Sequence, residues 1–149
     1  MYYGDKKILS VVKVEEDTRF NALVDRSISG VLRLEGLSKI GKYAFANCGN
    51  LESVEIPSTV TDIGERAFYG CGNIHSLTIP SSVTNIGAYA LVIGVATITM
   101  KRHIPPTIAT STFIPQYLIK IIVPKGCGDV YKSSTNWAYV ADYIEEEAE

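Results

Sequence analysis

Through the middle of the chain the apolar positions recur with a spacing that changes character inside each unit. In one unit they fall at Leu51, Val54, Ile56, Val60, Ile63, Ala67, Phe68 and Cys71. Val54 and Ile56 lie two apart with polar Ser53 and Glu55 alternating, the period of a half-buried strand. Pro57 ends that strand, because Pro57-Ser58 and its counterpart Pro80-Ser81 lack a ladder N–H at the proline and favour a turn. Val60 and Ile63 return inward ahead of Gly64, whose missing Cβ suits a tight or left-handed bend. Glu65 to Tyr69 then predicts one short helical or 3-10 turn presenting Ala67 and Phe68 to the interior, and Gly-Cys-Gly-Asn closes the circuit.

The unit repeats. Ile40 to Asp62 laid without a gap on Ile63 to Asn85 is identical at 13 of 23 positions. A third copy opens with Ile86-Gly87 and Ala90-Leu91, then departs. Gly94 stands where Cys48 and Cys71 were, and the strand Thr97 to Met100 aligns with two residues deleted. Leu32 to Leu34 with Leu37 matches Val54 to Ile56 with Val60 if one residue is missing, and Ile121 to Pro124 matches Val54 to Pro57. One such unit cannot bury both its faces, whereas stacked copies pair strand on strand at ~4.8 Å around one continuous core. The expectation is a right-handed solenoid forming a single domain, 1–149, mostly β with short helical or 3-10 turns. It has about five rungs of ~23 residues, a period typical of repeat architectures.

A solenoid needs covered ends. Residues 1–20 are read as an N-terminal hairpin or edge-strand cap, since Tyr2 to Val14 alternates loosely around an Asp5-Lys6 turn. Residues 21–126 form the repeat array, and 127–149 a helical C-terminal cap with an acidic tail. That cap is drawn from Val130, Tyr131, Trp137, Val140, Tyr143 and Ile144, with Asn136 or a nearby Ser/Thr as a helix cap. Homo-oligomerisation through either cap is an expectation of the same reasoning.

Composition sharpens the β reading: 17 Ile, 13 Val and 11 Thr stand against 9 Leu, a bias toward strands. Fourteen Lys and Arg face 16 Asp and Glu, and this lack of basic excess argues against a nucleic-acid partner. Five of the acids, Asp142, Glu145, Glu146, Glu147 and Glu149, fall in the last eight residues, and are read as a solvated tail. No stretch approaches the ~18 consecutive apolar residues of a spanning helix. The short apolar run Ile8 to Val12 behind Lys6-Lys7 is not read as a signal peptide. A full-length chain is therefore expected in the cytoplasm or a virion, a trimmed one at the surface or secreted.

Three cysteines, Cys48, Cys71 and Cys127, cannot all pair within one chain. Cys48 and Cys71 are expected as a buried thiol ladder on adjacent rungs, where side chains point the same way in poor disulfide geometry. Cys127 is expected as an exposed loop thiol. His75 and His103 have no partner at metal-ligand spacing, so no metal or other cofactor is expected. Nor is there a nucleophile elbow, phosphate loop or dinucleotide fingerprint, and no catalytic residue is assigned.

The register leaves two outward columns as candidate binding surface. On the strand face these are Arg33, Glu55, Thr78, Thr99 and Ile122, flanked by Val31, Ser53, Ser76, Thr97 and Lys120, a flat hydroxyl-rich strip. On the helical turns the column is Tyr43, Arg66 and Tyr89, tyrosine being favoured at interfaces. Solubilising an exposed sheet and covering a neighbouring rung are the alternative roles for these two columns.

The pattern Ile-Gly-x-x-Ala-Phe-x-x-Cys-x-Asn-Leu-x-Ser-Val-x-Ile-Pro-Ser-x-Val-Thr, Ile40 to Thr61, resembles the BspA-like leucine-rich repeat family. The similarity extends through Ile104-Pro105-Pro106-Thr107-Ile108, Phe113, residues 121–126, Val130-Tyr131-Lys132 and Trp137, which look like the terminal unit of such arrays. The resemblance implies a leucine-rich-repeat solenoid that is non-enzymatic and binds protein or carbohydrate, of an adhesion or host-interaction type on bacterial or protist surfaces. Related short arrays in prophage-encoded proteins imply the alternative, a structural component of a phage particle or multimeric fibre.

Overall fold

A computed structural model of the chain describes residues 28–149 in full, together with the strand backbones of Tyr2–Tyr3 and Lys6–Lys13. In chain order the strands are β1 Tyr2–Tyr3, β2 Lys6–Lys13, β3 Gly30–Glu35, β4 Lys39–Ile40, β5 Leu51–Glu55, β6 Asp62–Ile63, β7 Ser76–Ile79, β8 Asn85–Ile86, β9 Ala96–Met100, β10 Thr107–Ile108, β11 Leu118–Val123 and β12 Ile144–Glu146. Helix α1, Gly128–Ser133, and a 3-10 segment, Ala138–Tyr143, lie between β11 and β12. The remainder of the expected N-terminal cap, including 14–20, lies outside the described residues.

Longer and two-residue strands alternate along the chain from β3 to β10 and stack in separate columns. The two-residue strands form one parallel sheet in the order β10-β8-β6-β4. The longer ones form two: β1-β2-β3-β5, parallel except for the antiparallel β1–β2 pair, and β12-β11-β9-β7, parallel throughout. The repeat alignment predicts this register. Leu32 pairs with Val54, one residue short of the 23-residue period, and Leu77 with Ile98, two residues short. Ile121 pairs with Ile98 and again with Ile144.

Alternation then puts one aliphatic column inside each sheet. Leu32, Val54, Leu77, Ile98, Ile121 and Ile144 line the interior from the longer strands, and Ile40, Ile63, Ile86 and Ile108 face them from the short ones, all buried. Phe45 and Phe68 stack one rung apart at 5.5 Å with planes 9° from parallel. Cys48 and Cys71 repeat beside them as buried thiols, and the Cys71 Sγ–H donates to the Phe45 carbonyl at 3.0 Å.

The segments expected as short helical or 3-10 turns are hydrogen-bonded turns and not continuous helix. Their N–H groups alternate between two destinations. Tyr43, Phe45 and Asn47 donate to Glu65, Ala67 and Tyr69 of the next rung, while Ala44, Ala46 and Cys48 donate three residues back within their own. Arg66, Phe68 and Gly70 repeat the pattern onto Ala88, Ala90 and Val92. Such alternation turns successive peptides in opposite senses, and the left-handed region is where this is met: φ is 57° at Tyr43, 52° at Arg66 and 57° at Tyr89. A helix would have sent every N–H back along its own rung and left the stack unbonded.

Of the tight or left-handed bend expected at Gly64, the structure shows the tight approach. Gly64 is required for space: a Cβ there would stand 2.7 Å from the Lys42 amide nitrogen and 2.8 Å from the Gly41 carbonyl carbon. Gly87 meets the Glu65 nitrogen in the same way at 2.6 Å. Gly94 has an equivalent reason. Its Cβ would collide with the Gly72 carbonyl oxygen, so the loss of the third cysteine accompanies a close backbone approach in the rung that is two residues shorter.

Beyond β11, two aromatic side chains, Tyr131 and Trp137, join the buried core. Trp137 is buried, packs edge-to-face on Tyr131 at 4.8 Å and donates its indole N–H to the Pro106 carbonyl at 3.0 Å. The Tyr131 hydroxyl donates to the Arg102 carbonyl at 2.6 Å, and burial pushes its pKa up. Asn136 does not cap the 3-10 segment: its φ is 66° and its side chain donates to the Ile108 carbonyl at 2.9 Å. Cys127 is buried at 8% exposure, not exposed, because it sits at the first turn of α1 against the core.

Candidate functional site

Strand pairing brings most of the predicted strip together. Arg33 lies opposite Glu55, and Val31 opposite Ser53. In the second sheet Ser76, Thr97 and Lys120 form one row, and Thr78, Thr99 and Ile122 the next. Two corrections apply. Val31 is buried at 5% exposure and contributes nothing to the surface. The strip is also divided, because β5 closes one sheet and β7 opens another.

The charged ends of the strip are internally neutralised. The Arg33 Nε–H donates to Glu55 Oε2 at 2.7 Å, and Lys120 Nζ donates to Glu145 Oε2 at 3.1 Å. Between them the hydroxyls of Ser53, Ser76, Thr78, Thr97 and Thr99 make no hydrogen bond to any described residue. Hydroxyls on the opposite side behave differently. Thr59 donates to the Leu37 carbonyl at 2.7 Å, Thr84 to Thr61 at 3.2 Å, and buried Thr112 to Gly87 at 3.0 Å. The hydroxyls near the short strands thus tie one rung to the next, whereas those of the long-strand strip are uncommitted. Residue type alone does not distinguish these two uses of threonine; the register does.

An apolar margin borders the strip where β9 and β11 begin. Val95 is 51% exposed and Ile119 57%. Ile119 is the extra residue of a β-bulge between the Leu118–Ala96 and Lys120–Thr97 pairs, a device that re-aims a side chain out of the ladder. Sequence reasoning did not identify Ile119, whose only signal was a fifth apolar residue in the run Leu118 to Val123.

The column of Tyr43, Arg66 and Tyr89 is assembled but satisfied. The Arg66 guanidinium lies between the two rings, 5.6 Å from the Tyr43 centroid and 4.8 Å from that of Tyr89. It donates to the Tyr43 hydroxyl at 2.8 Å and to Glu65 Oε1 at 2.6 Å. The tyrosine hydrogen bond, the largest influence, holds the Arg66 pKa above its ordinary value. This sandwich fastens three rungs together. A further polar row, missed in the sequence, runs Lys39, Asp62, Asn85 and Thr107 along the short strands. There the Thr61 hydroxyl and the Asn85 amide hold the Asp62 carboxyl below its usual range.

Stacked parallel rungs with alternate-residue interior columns define the molecule as a β-rich repeat solenoid. The chain belongs to the BspA type leucine rich repeat region family, whose model matches six copies over residues 21–137. No curated protein matches this sequence. Repeats of this family suggest a binding or recognition module and are typically non-catalytic. Among the described residues, no helix is long and apolar enough to cross a membrane.

Proposed function

We propose that the protein is a non-enzymatic recognition module of the adhesion type that binds a protein partner through the long-strand face. The observation that carries this reading is the set of uncommitted hydroxyls at Ser53, Ser76, Thr78, Thr97 and Thr99. A repeated lattice of donors and acceptors at strand spacing is the usual means by which a solenoid offers an extended binding surface. The apolar margin favours protein over carbohydrate: exposed Val95 and Ile119 add apolar surface beside the polar strip. Self-neutralised Arg33–Glu55 and Lys120–Glu145 pairs at either end favour a partner segment of low charge.

The test is a binding selection with the wild-type chain against a displayed random-peptide library and, in parallel, a glycan array. Peptides recovered by the wild type are expected to lose binding when Glu55, Thr78 and Thr99 are replaced by lysine, and to keep it when exposed Thr110 is replaced instead. Binding unchanged by the triple substitution would remove this face from the reading. Hits confined to the glycan array, and lost in the same variant, would replace the protein partner by a carbohydrate.

A further inference from the structure

The residues expected as a solvated acidic tail are docked. Ile144–Glu146 forms β12, parallel to β11, with Ile144 buried opposite Ile121. The Glu147 N–H continues the ladder to the Val123 carbonyl at 2.9 Å. Every glutamate that follows Ile144 meets a donor from the rungs beneath. Glu145 accepts from Lys120, Glu147 from Lys101 and Glu149 from Lys125. Glu146 accepts from two backbone N–H groups, Gly126 at 2.9 Å and Gly128 at 2.8 Å. The fit is close, since a Cβ on residue 128 would stand 2.7 Å from the Glu146 Oε1 and displace that carboxylate.

We infer that the β11 edge, with Lys101, Lys120, Lys125 and the Gly126–Gly128 loop, is a docking site for an extended acidic peptide, filled here in cis by residues 144–149. The binding mode is strand addition: main-chain bonds supply affinity and alternate side chains supply specificity. The occupant is defined by the contacts it makes, one aliphatic residue followed by glutamates. The complementarity is specific, because lysines from two different rungs and a backbone pair each engage a separate carboxylate. The hold is also weak enough to exchange. Ile144 is the only buried side chain of the segment, and the Glu145 and Glu149 side chains are 59% and 89% exposed. Ion pairs so exposed contribute little and are screened by salt. Segments with few buried contacts open first, so the same chemistry presented by another polypeptide competes for the edge.

The experiment uses the full chain and a fluorescent peptide copying Tyr143 to Glu149, followed by anisotropy. The variant Glu145→Gln, Glu146→Gln, Glu147→Gln weakens the cis strand without altering its backbone. It is expected to bind the peptide at least about tenfold more tightly than the wild type, because the intramolecular competitor is handicapped. Adding Lys120→Glu and Lys125→Glu should abolish that binding, and ~0.5 M salt should weaken it. Equal binding to wild type and triple variant, no binding to either, or binding that survives the two lysine reversals overturns the inference. Should the variant not fold, amide exchange in the wild type decides: excess peptide is expected to accelerate exchange at Glu147 and leave Ile98 unchanged, and an unaltered Glu147 rate overturns it.

Discussion

Gly64 and Gly72 occupy the same repeat and yet face opposite demands. A Cβ on Gly64 would press into the backbone of the preceding rung, whereas one on Gly72 would meet nothing within 4 Å. Gly64→Ala is therefore expected to cost about 1–3 kcal/mol, the usual range for overpacking, and Gly72→Ala less than about 0.5 kcal/mol. Urea unfolding of both variants checks the contrast, and equal effects would refute the close approach as its cause. At this scale the sequence was only partly legible. That a glycine recurs after each short strand is visible at positions 41, 64 and 87. Its purpose is not, because backbone proximity between rungs 23 residues apart leaves no local trace. The same holds for Tyr43, Arg66 and Tyr89. Nothing in a tyrosine or arginine advertises a positive φ, which is imposed by the alternating bonds of the turn stack.

Among the elements, the aromatic cluster beyond β11 was the most readable and the acidic strand the least. Tyr131 and Trp137 could be assigned to the core because the aromatic residues of an amphipathic segment must be buried somewhere. Trp137→Phe should leave the Pro106 carbonyl without its donor, at a cost of about 1–3 kcal/mol. Trp137→Ala should cost about 3–5 kcal/mol; thermal unfolding of the pair separates the hydrogen bond from the packing. By contrast, three consecutive glutamates have poor strand propensity, and β12 exists because β11 offers an edge, an apolar seat and donors. Its stability should depend on acidity. Gly126 and Gly128 donate to Glu146 and hold its carboxyl below the ordinary glutamate range. A group whose folded pKa is depressed contributes stability at neutral pH that is lost as the pH falls through the folded value. Exchange protection at the Glu147 amide is expected to decline as the pH falls below the ordinary glutamate range while that of Ile98 persists, and equal decline at both would disprove a local effect.

For the whole molecule, the repeat was legible enough to place the rungs and their gaps, and the strip's rows lie in register as expected from Ser76, Thr97 and Lys120. Its division between β5 and β7, the burial of Val31 and the exposure of Ile119 were not legible, since each depends on how rungs of unequal length meet. The charge balance also changes meaning. The acidic residues are not a free tail; Lys101, Lys120 and Lys125 are partners of Glu147, Glu145 and Glu149, so three of these acidic charges are neutralised where they lie.

Repeat arrays gain stability from each neighbour interface. Ile63 pairs forward to Ile86 at the full period of 23 residues, so a second copy of residues 63–85 inserted after Asn85 should enter without disturbing the pairs on either side. The enlarged chain is expected to unfold cooperatively at a temperature no lower than the parent, as circular dichroism would show. A lower or broadened transition would contradict that. The insertion would also add one row of Ser76 and Thr78 to the exposed face. The 23-residue spacing thereby makes this protein a ruler: the reach of its surface is set by counting copies, and a longer partner can be matched by duplication alone, with no new side chain invented.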